Sequence, residues 1–244
     1  MNLLLLDPKN EIGKGKSIYR ISERQKDLIL SWKKTEGDLI HSGLINHSIG
    51  VSKVRFQNED LLLEYTPKEI PQKSNLINYT FLICIPRPQT GKKLLHLAGS
   101  FGVEKLIFGE WFQENAKEYR TSPVYISQHQ EYLLEGMEQS KQIYLPNLTF
   151  DSKKKLEFQN GFYFDPSGIP ITELVDSQKR IASNNLERTN ILIGPEKGFS
   201  QTDKALLEKL GFQAISIDSK SFRTEVASAI IFYLLENYNS PKSS

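Results

Sequence analysis

The run Ile191-Leu192-Ile193-Gly194-Pro195-Glu196-Lys197-Gly198-Phe199-Ser200 passes from an apolar strand through a Gly/Pro turn into a helix start. Backbone N–H groups at such a turn can meet a ligand, and glycine allows it to approach closely. The run is neither a Walker A loop nor a GxGxxG fingerprint, because neither spacing is present. On its chemistry alone it equally fits a tight strand-to-helix turn with a cap and no ligand. A second run, Ala214 to Ala227, repeats the order of strand, loop and helix. Its Arg223 stands at a helix start, where a cation opposes the macrodipole. The guanidinium could hold a phosphate or an oxyanion, or pair with Glu196 or Glu225. Glu138-Gln139-Ser140 ends a helix ahead of Ile143-Tyr144-Leu145-Pro146, and alone reads as a solvated helix end.

The elements that must position these residues fall into two groups. Residues 1 to about 70 read as short strands with turns: Leu3–Leu6, Ser17–Ile21, a strand-turn-strand over Gly37–Asn46, Val51–Phe56 and Leu61–Tyr65, with one helix over Glu23–Trp32. Many short strands in so few residues suggest a small β-barrel. Pro67, Pro71 and the polar stretch to Asn78 read as a linker. Beyond it, apolar strands at Tyr79–Ile85, Lys105–Phe108, Gly161–Phe164, Asn190–Ile193 and Gln213–Ile217 alternate with helices, which predicts a parallel sheet covered on both faces. The helices are placed over Lys92–Phe101, Tyr125–Ser140, Ser200 to Gly211 and from Thr224 onward, ahead of a polar tail at Asn237–Ser244. Ser200-Gln201-Thr202-Asp203 has the pattern of a capping box, with Gly211 as the stop.

The 244 residues include 31 Lys+Arg and 29 Asp+Glu, a net charge of +2 that neither requires nor excludes a nucleic acid. Hydrophobic residues at 39% exclude a disordered chain. The single cysteine, Cys84, excludes an internal disulfide and a Cys-based zinc cluster, and its apolar neighbours predict a buried thiol. His41, His47, His96 and His129 lack metal-ligand spacing, so no metal site is expected. No apolar stretch reaches the ~18 residues of a membrane span. With no export signal, the cytoplasm is the expected compartment.

The sequence Gly194-Pro195-Glu196-x-Gly198-Phe199-Ser200, followed by Arg223-Thr224-Glu225-x-Ala227, resembles the bacterial ribosomal RNA small-subunit methyltransferase E family. Glu138-Gln139-Ser140 with Pro146 matches a third element of that family, and Arg24, Gly37-Asp38 and Gly43–Asn46 sit where it has its N-terminal helix and barrel strands. The resemblance implies an α/β fold: a C-terminal SPOUT-type trefoil-knot domain over residues 79–244, a linker at 71–78, and a PUA-like RNA-binding barrel at 1–70. It implies a homodimer that moves a methyl group from S-adenosylmethionine to N3 of a uridine in small-subunit (16S) rRNA. By carry-over, Leu192, Ile193, Gly194, Pro195, Glu196 and Gly198 form one wall of the cofactor site. Ile217, Ser221, Phe222 and Arg223 form the other, and Asp165-Pro166 lies in the first knot loop. Arg223 would stabilise charge on the uracil carbonyls, and Glu225 or Glu196 would accept the proton if burial raised its pKa. The sulfonium is itself a strong electrophile, so no metal is implied.

The chain departs from the family pattern at several positions. Lys197 replaces a Gly, Asp218 stands where Gly is usual, and Val226 replaces a Thr. Gln142 and Tyr144 stand in place of arginines, Asp27 in place of a His, and Leu97–Phe101 in place of a charged helix segment. These departures keep open a SPOUT-like RNA binder that has lost catalysis, or the same class with another RNA target. Residues 9–34 still carry eight Lys/Arg, Lys14 among them, against three acids, with Tyr19 and Trp32 interleaved. They could form an RNA surface through Arg20, Arg24 and Lys26. Lys153-Lys154-Lys155 reads as a solvated helix face.

Overall fold

The computed structural model describes residues 3–13, 15–57, 60–113, 116–171, 188–218 and 220–238. Lys14, Ser219 and the tail from 239 lie outside these residues. The chain forms two sheets. The first contains β1 (Leu4–Leu6), β2 (Ile18–Arg20), β3 (Leu39–Leu44), β4 (Ser48–Gln57) and β5 (Asp60–Glu69) in the order β1-β3-β4-β5-β2. β1 runs parallel to β3 and the other pairs are antiparallel, giving a curled half-barrel. Its core holds Leu4, Leu6, Tyr19, Ile40, Val54, Leu63 and Tyr65, closed by Ile29 of α1 (Glu23–Ser31). A capping box between Ser22 and Gln25 starts α1.

The second sheet contains β6 (Tyr79–Cys84), β7 (Lys105–Gly109), β8 (Asn147–Asp151), β9 (Gly161–Pro170), β10 (Thr189–Ile193) and β11 (Phe212–Ser216). Its order is β11-β9-β10-β6-β7-β8, and every pair is parallel. β6 and β10 lie at its centre, with Phe81 opposite Ile191 and Ile83 opposite Ile193. On one face Phe81, Ile83, Ile191 and Ile193 pack against α2 (Pro88–Phe101), α5 (His129–Ser140) and α7 (Thr224–Tyr238). On the other, Leu82, Cys84 and Leu192 pack against α6 (Gln201–Lys209), Trp111 and Leu156. Covering on both faces is why β6 is buried throughout and apolar but for Thr80. Two short helices, α3 (Ala116–Arg120) and α4 (Pro123–Ile126), complete this layer.

Several sequence expectations change. Gly43 is not a turn between two strands but the interior of β3: a Cβ there would lie 2.7 Å from Ile143 and 2.8 Å from Leu3. The helix expected over Tyr125–Ser140 is split into α4 and α5. Tyr125 turns inward and its hydroxyl donates to the Pro86 carbonyl at 2.6 Å, the ring lying over Gly91. β8 is not among the expected strands, although Asn147–Asp151 alternates polar and apolar residues as a half-buried strand does. Lys153–Lys155 are exposed but not helical; the Lys153 N–H donates to Asp151 Oδ1 in a turn, and its ammonium pairs with Glu157. Pro67 belongs to β5, opposite Gly50. In β9 the register jumps from Tyr163↔Ala214 to Ile169↔Ile215, so residues 164–168, including Asp165-Pro166, leave the ladder and return. Asp165 is held there by Lys204 at 2.7 Å. The knot crossing depends on the path of residues 172–187, which lie outside the described residues.

Helices α2 and α5 touch through backbone. A Cβ on Gly99 would lie 2.2 Å from the Leu133 carbonyl oxygen, and one on Gly136 would lie 2.1 Å from that of His96. No rotamer change relieves a clash with backbone, so the helices must separate. Gly136→Ala is therefore expected to destabilise the protein by about 1–3 kcal/mol. Thermal unfolding checks this; an unchanged Tm would contradict the contact.

Candidate active site

The strands of a parallel sheet end together, and ligand sites gather at their carboxyl ends where consecutive strands diverge. Here that place is the end of β10 beside β6. The turn that follows β10 is built by Phe199. A Cβ on Gly194 would lie 2.6 Å from the Phe199 ring, so only glycine lets the ring fold back. Phe199 also meets Tyr163 and Phe112 edge-on, each at 5.4 Å between centroids. Pro195 is buried, and its carbonyl accepts the Gly198 N–H at 2.8 Å. Gly198 has φ +76°, and a Cβ there would point into open space. Lys197 is exposed and is not among the residues with positive φ, so the backbone does not require glycine there.

The second loop follows β11. Ser216 donates to the Asp218 carbonyl at 2.8 Å, turning the chain, and Ile217 is half-buried against the α2 face of the core. Ser221, Phe222 and Arg223 are exposed just ahead of α7. The Arg223 carbonyl accepts the Ala227 N–H at 2.9 Å, which makes Arg223 the N-cap residue of α7. Among the described residues Arg223 makes no ion pair, so the pairing with Glu196 or Glu225 considered from the sequence does not form.

Both glutamates are held by α2 instead. Glu196 accepts from Thr90 Oγ1 at 3.2 Å and pairs with Arg87 Nε at 3.2 Å. Glu225 pairs with Lys93 Nζ at 2.9 Å. Thr90 and Lys93 are three residues apart, one helical turn, so a single helix face anchors both site loops. The hydrogen bond from Lys93 holds the Glu225 carboxyl below its ordinary value, against the opposing effect of burial. The expectation of a Glu225 raised by burial is thus corrected. Sequence reasoning missed Arg87, Thr90 and Lys93, since a cation and a threonine on an amphipathic helix carry no signal of their partners.

The remaining expectations place as follows. Leu192 and Ile193 are buried core residues at the root of the turn. Cys84 is buried, and burial pushes its thiol up, so it is no nucleophile. Arg20 is exposed on the edge strand β2 and Lys26 is half-buried on α1. Arg24 is bound to Glu138 at 2.7 Å. Glu138 is not a solvated helix end: it is 5% exposed. No group of three or more potential metal ligands occurs among the described residues. A cavity of about 330 Å³ lies against the end of β8, lined by Ile107, Phe150, Asp151 and Phe158, and none of these loop residues lines it. No helix among the described residues is long and apolar enough to cross a membrane.

A curled half-barrel joined to an all-parallel sheet with this strand order is the SPOUT type of fold. Two solved structures share it, each with a TM-score of 0.70 and each aligned over 96% of this chain. One is a Legionella pneumophila protein in complex with SAM, 12% identical, with 97% of its chain covered. The other is a ribosomal RNA small subunit methyltransferase E from Neisseria gonorrhoeae bound to S-adenosyl methionine, 14% identical, with 96% covered. The model of the RNA methyltransferase domain matches residues 72–236, and the chain belongs to that family. A relative from Borreliella burgdorferi, ribosomal RNA small subunit methyltransferase E 1, is 24% identical over 231 residues, spanning 93% of this chain and 94% of its own length.

The Glu225 carboxyl is expected to titrate below its ordinary 4.5 and to move upward in Lys93→Met. A carboxylate lowered by folding stabilises above its unfolded pKa, and that stabilisation is lost as pH falls through the folded value. Because Lys93 is 59% exposed, the contribution is about 0.5 kcal/mol. Carbon-13 NMR of the side chain reads the midpoint; an identical midpoint in both proteins would contradict the pairing.

Proposed function

We propose that this chain uses S-adenosylmethionine to methylate N3 of a uridine in small-subunit rRNA, as a homodimer. The observation that carries the reading is the pair of loops at the ends of β10 and β11, both tied to α2, with Arg223 exposed and free of any ion pair among the described residues. The open space at Gly198 fits close approach of a cofactor to backbone. Leu192, Ile193, Gly194, Pro195, Glu196 and Gly198 would hold it on one side, and Ile217, Ser221 and Phe222 on the other. Bound there, S-adenosylmethionine supplies a methyl group on a sulfonium, a leaving group that needs no metal.

The chain's own residues handle the uracil. N3 carries an imide proton and becomes nucleophilic as that proton leaves. Arg223 donates hydrogen bonds to the carbonyl oxygens that take up the resulting charge. Glu225 and Glu196 are the candidate proton acceptors. Lys93 keeps Glu225 ionised but makes it a weaker base, so Arg223 contributes most by stabilising the anion. Residues 1–70 would serve as the RNA-contacting unit through Arg20 and Lys26, joined by 71–78 to the methyltransferase unit at 79–244. A second copy would cover Val226 and Tyr233, which are 42% and 59% exposed and lie two turns apart on α7.

The test is transfer of a labelled methyl group to rRNA of small subunits that lack the modification, with the product nucleoside identified by mass spectrometry. The wild type is expected to yield N3-methyluridine, and Arg223→Ala to slow transfer by about 10²–10³. Methylation of another nucleotide would retain the class and reject the target. Absence of transfer by folded protein would reject the reading in favour of an RNA binder.

A further inference from the structure

We infer that Arg24 and Glu138 are a positioning pair that fixes the half-barrel against the parallel sheet, so that neither touches substrate. The link to RNA rests on the function proposed above; the geometry does not. Glu138 lies at the end of α5, with its side chain 7% exposed. Its carboxylate accepts from Arg24 Nη2 of α1 at 2.7 Å, and its carbonyl accepts the Leu3 N–H at 2.9 Å. Gln25, the next residue of α1, donates from Nε2 to the Leu5 carbonyl at 2.6 Å. Strand β1 is thereby gripped from both sides, by α1 of its own unit and by α5 of the other.

The surrounding contact is largely apolar, with Leu3, Leu5, Ile45, Met137 and Ile143 in one buried cluster across the junction, and Asn46 adds two hydrogen bonds, donating its N–H to the Ile143 carbonyl at 2.9 Å and accepting the Leu145 N–H on Oδ1 at 3.0 Å. Apolar contact is non-directional and tolerates sliding. A buried carboxylate with a single guanidinium partner does not, because displacement strands the charge. The pair also sits on the route to the site. Two residues before Glu138, Gly136 lies against the backbone of α2, the helix whose Arg87, Thr90 and Lys93 hold Glu196 and Glu225. Arg20 and Lys26 flank Arg24 on the other side of the junction. Together with the Asn46 hydrogen bonds, the ion pair thus holds the angle between the candidate RNA surface and the candidate active site, and it is the one charged contact among them. Arg24 acts through Glu138 and not on phosphate.

The experiment compares Arg24→Ala, Glu138→Ala, Glu138→Gln, Arg24→Lys and the double alanine variant in the full chain, each checked for native circular dichroism. Spin labels at Lys68→Cys and Lys117→Cys report the distance between the two units without any RNA or cofactor. The wild-type distribution is expected to be narrow. Each alanine variant and Glu138→Gln should broaden it by about twofold, the double variant should be no broader, and Arg24→Lys should restore it in part. With small-subunit rRNA as substrate, KM should rise about tenfold in either alanine variant while kcat stays within about twofold. A narrow distribution in Glu138→Ala would overturn the inference. So would a salt dependence of RNA binding that weakens in Arg24→Ala but not in Glu138→Ala, which is the signature of a lost phosphate contact. If the wild type transfers no methyl group, the proposed function fails, and the distance measurement still decides the role of the pair.

Discussion

The parallel pairing of β10 with β6 is the constraint on which the rest depends. Phe81 opposite Ile191 and Ile83 opposite Ile193 place two apolar strands side by side at the centre of the sheet. Phe232 of α7 meets Phe81 edge-on at 4.7 Å between centroids, so the last helix is docked on the same pair. A one-residue slip in this register would turn Ile191 and Ile193 to the opposite face and leave α7 without its seat. With the register fixed, the Gly194–Gly198 turn and the loop before α7 emerge at the same edge. Helix α2, which follows β6, then presents Thr90 and Lys93, with Arg87 at its N-cap, to the two loops.

This arrangement explains why the site combines rigid and open parts. Phe199 fills the space that a side chain at Gly194 would take, so the turn is held by packing and its backbone stays bare. Glu196 and Glu225 are fixed by partners on α2 and its N-cap, and groups held by such elements keep their geometry better than groups on free loops. Arg223 stands outside these pairs. It caps α7 with its carbonyl, and its guanidinium makes no ion pair among the described residues, as the role proposed for it on the uracil requires.

Much of this was legible in the sequence because the signals were local. The capping box at Ser200, the stop at Gly211, the buried Cys84 and the start of α7 at Thr224 each follow from a few adjacent residues. The two loops proposed to form the site were singled out by their Gly, Pro and Arg positions, and both do follow strands of the parallel sheet. The parts that were not legible are long-range. Gly43 looked like a turn and is a close approach between units. Glu138 looked solvated, yet its partner lies 114 residues away. Lys93 gives no sign of Glu225, and the β9 excursion at residues 164–168 follows from its fit against β11. Lys197 departs from the family's Gly, and the structure shows a backbone position with no need of glycine.

The central claim is that the two loops form one cofactor site on this chain. Calorimetric titration of the purified protein with S-adenosylmethionine tests it most directly. The account predicts saturable binding at one site per chain. Absence of binding by protein whose fold is confirmed, both alone and with the small ribosomal subunit present, would contradict it.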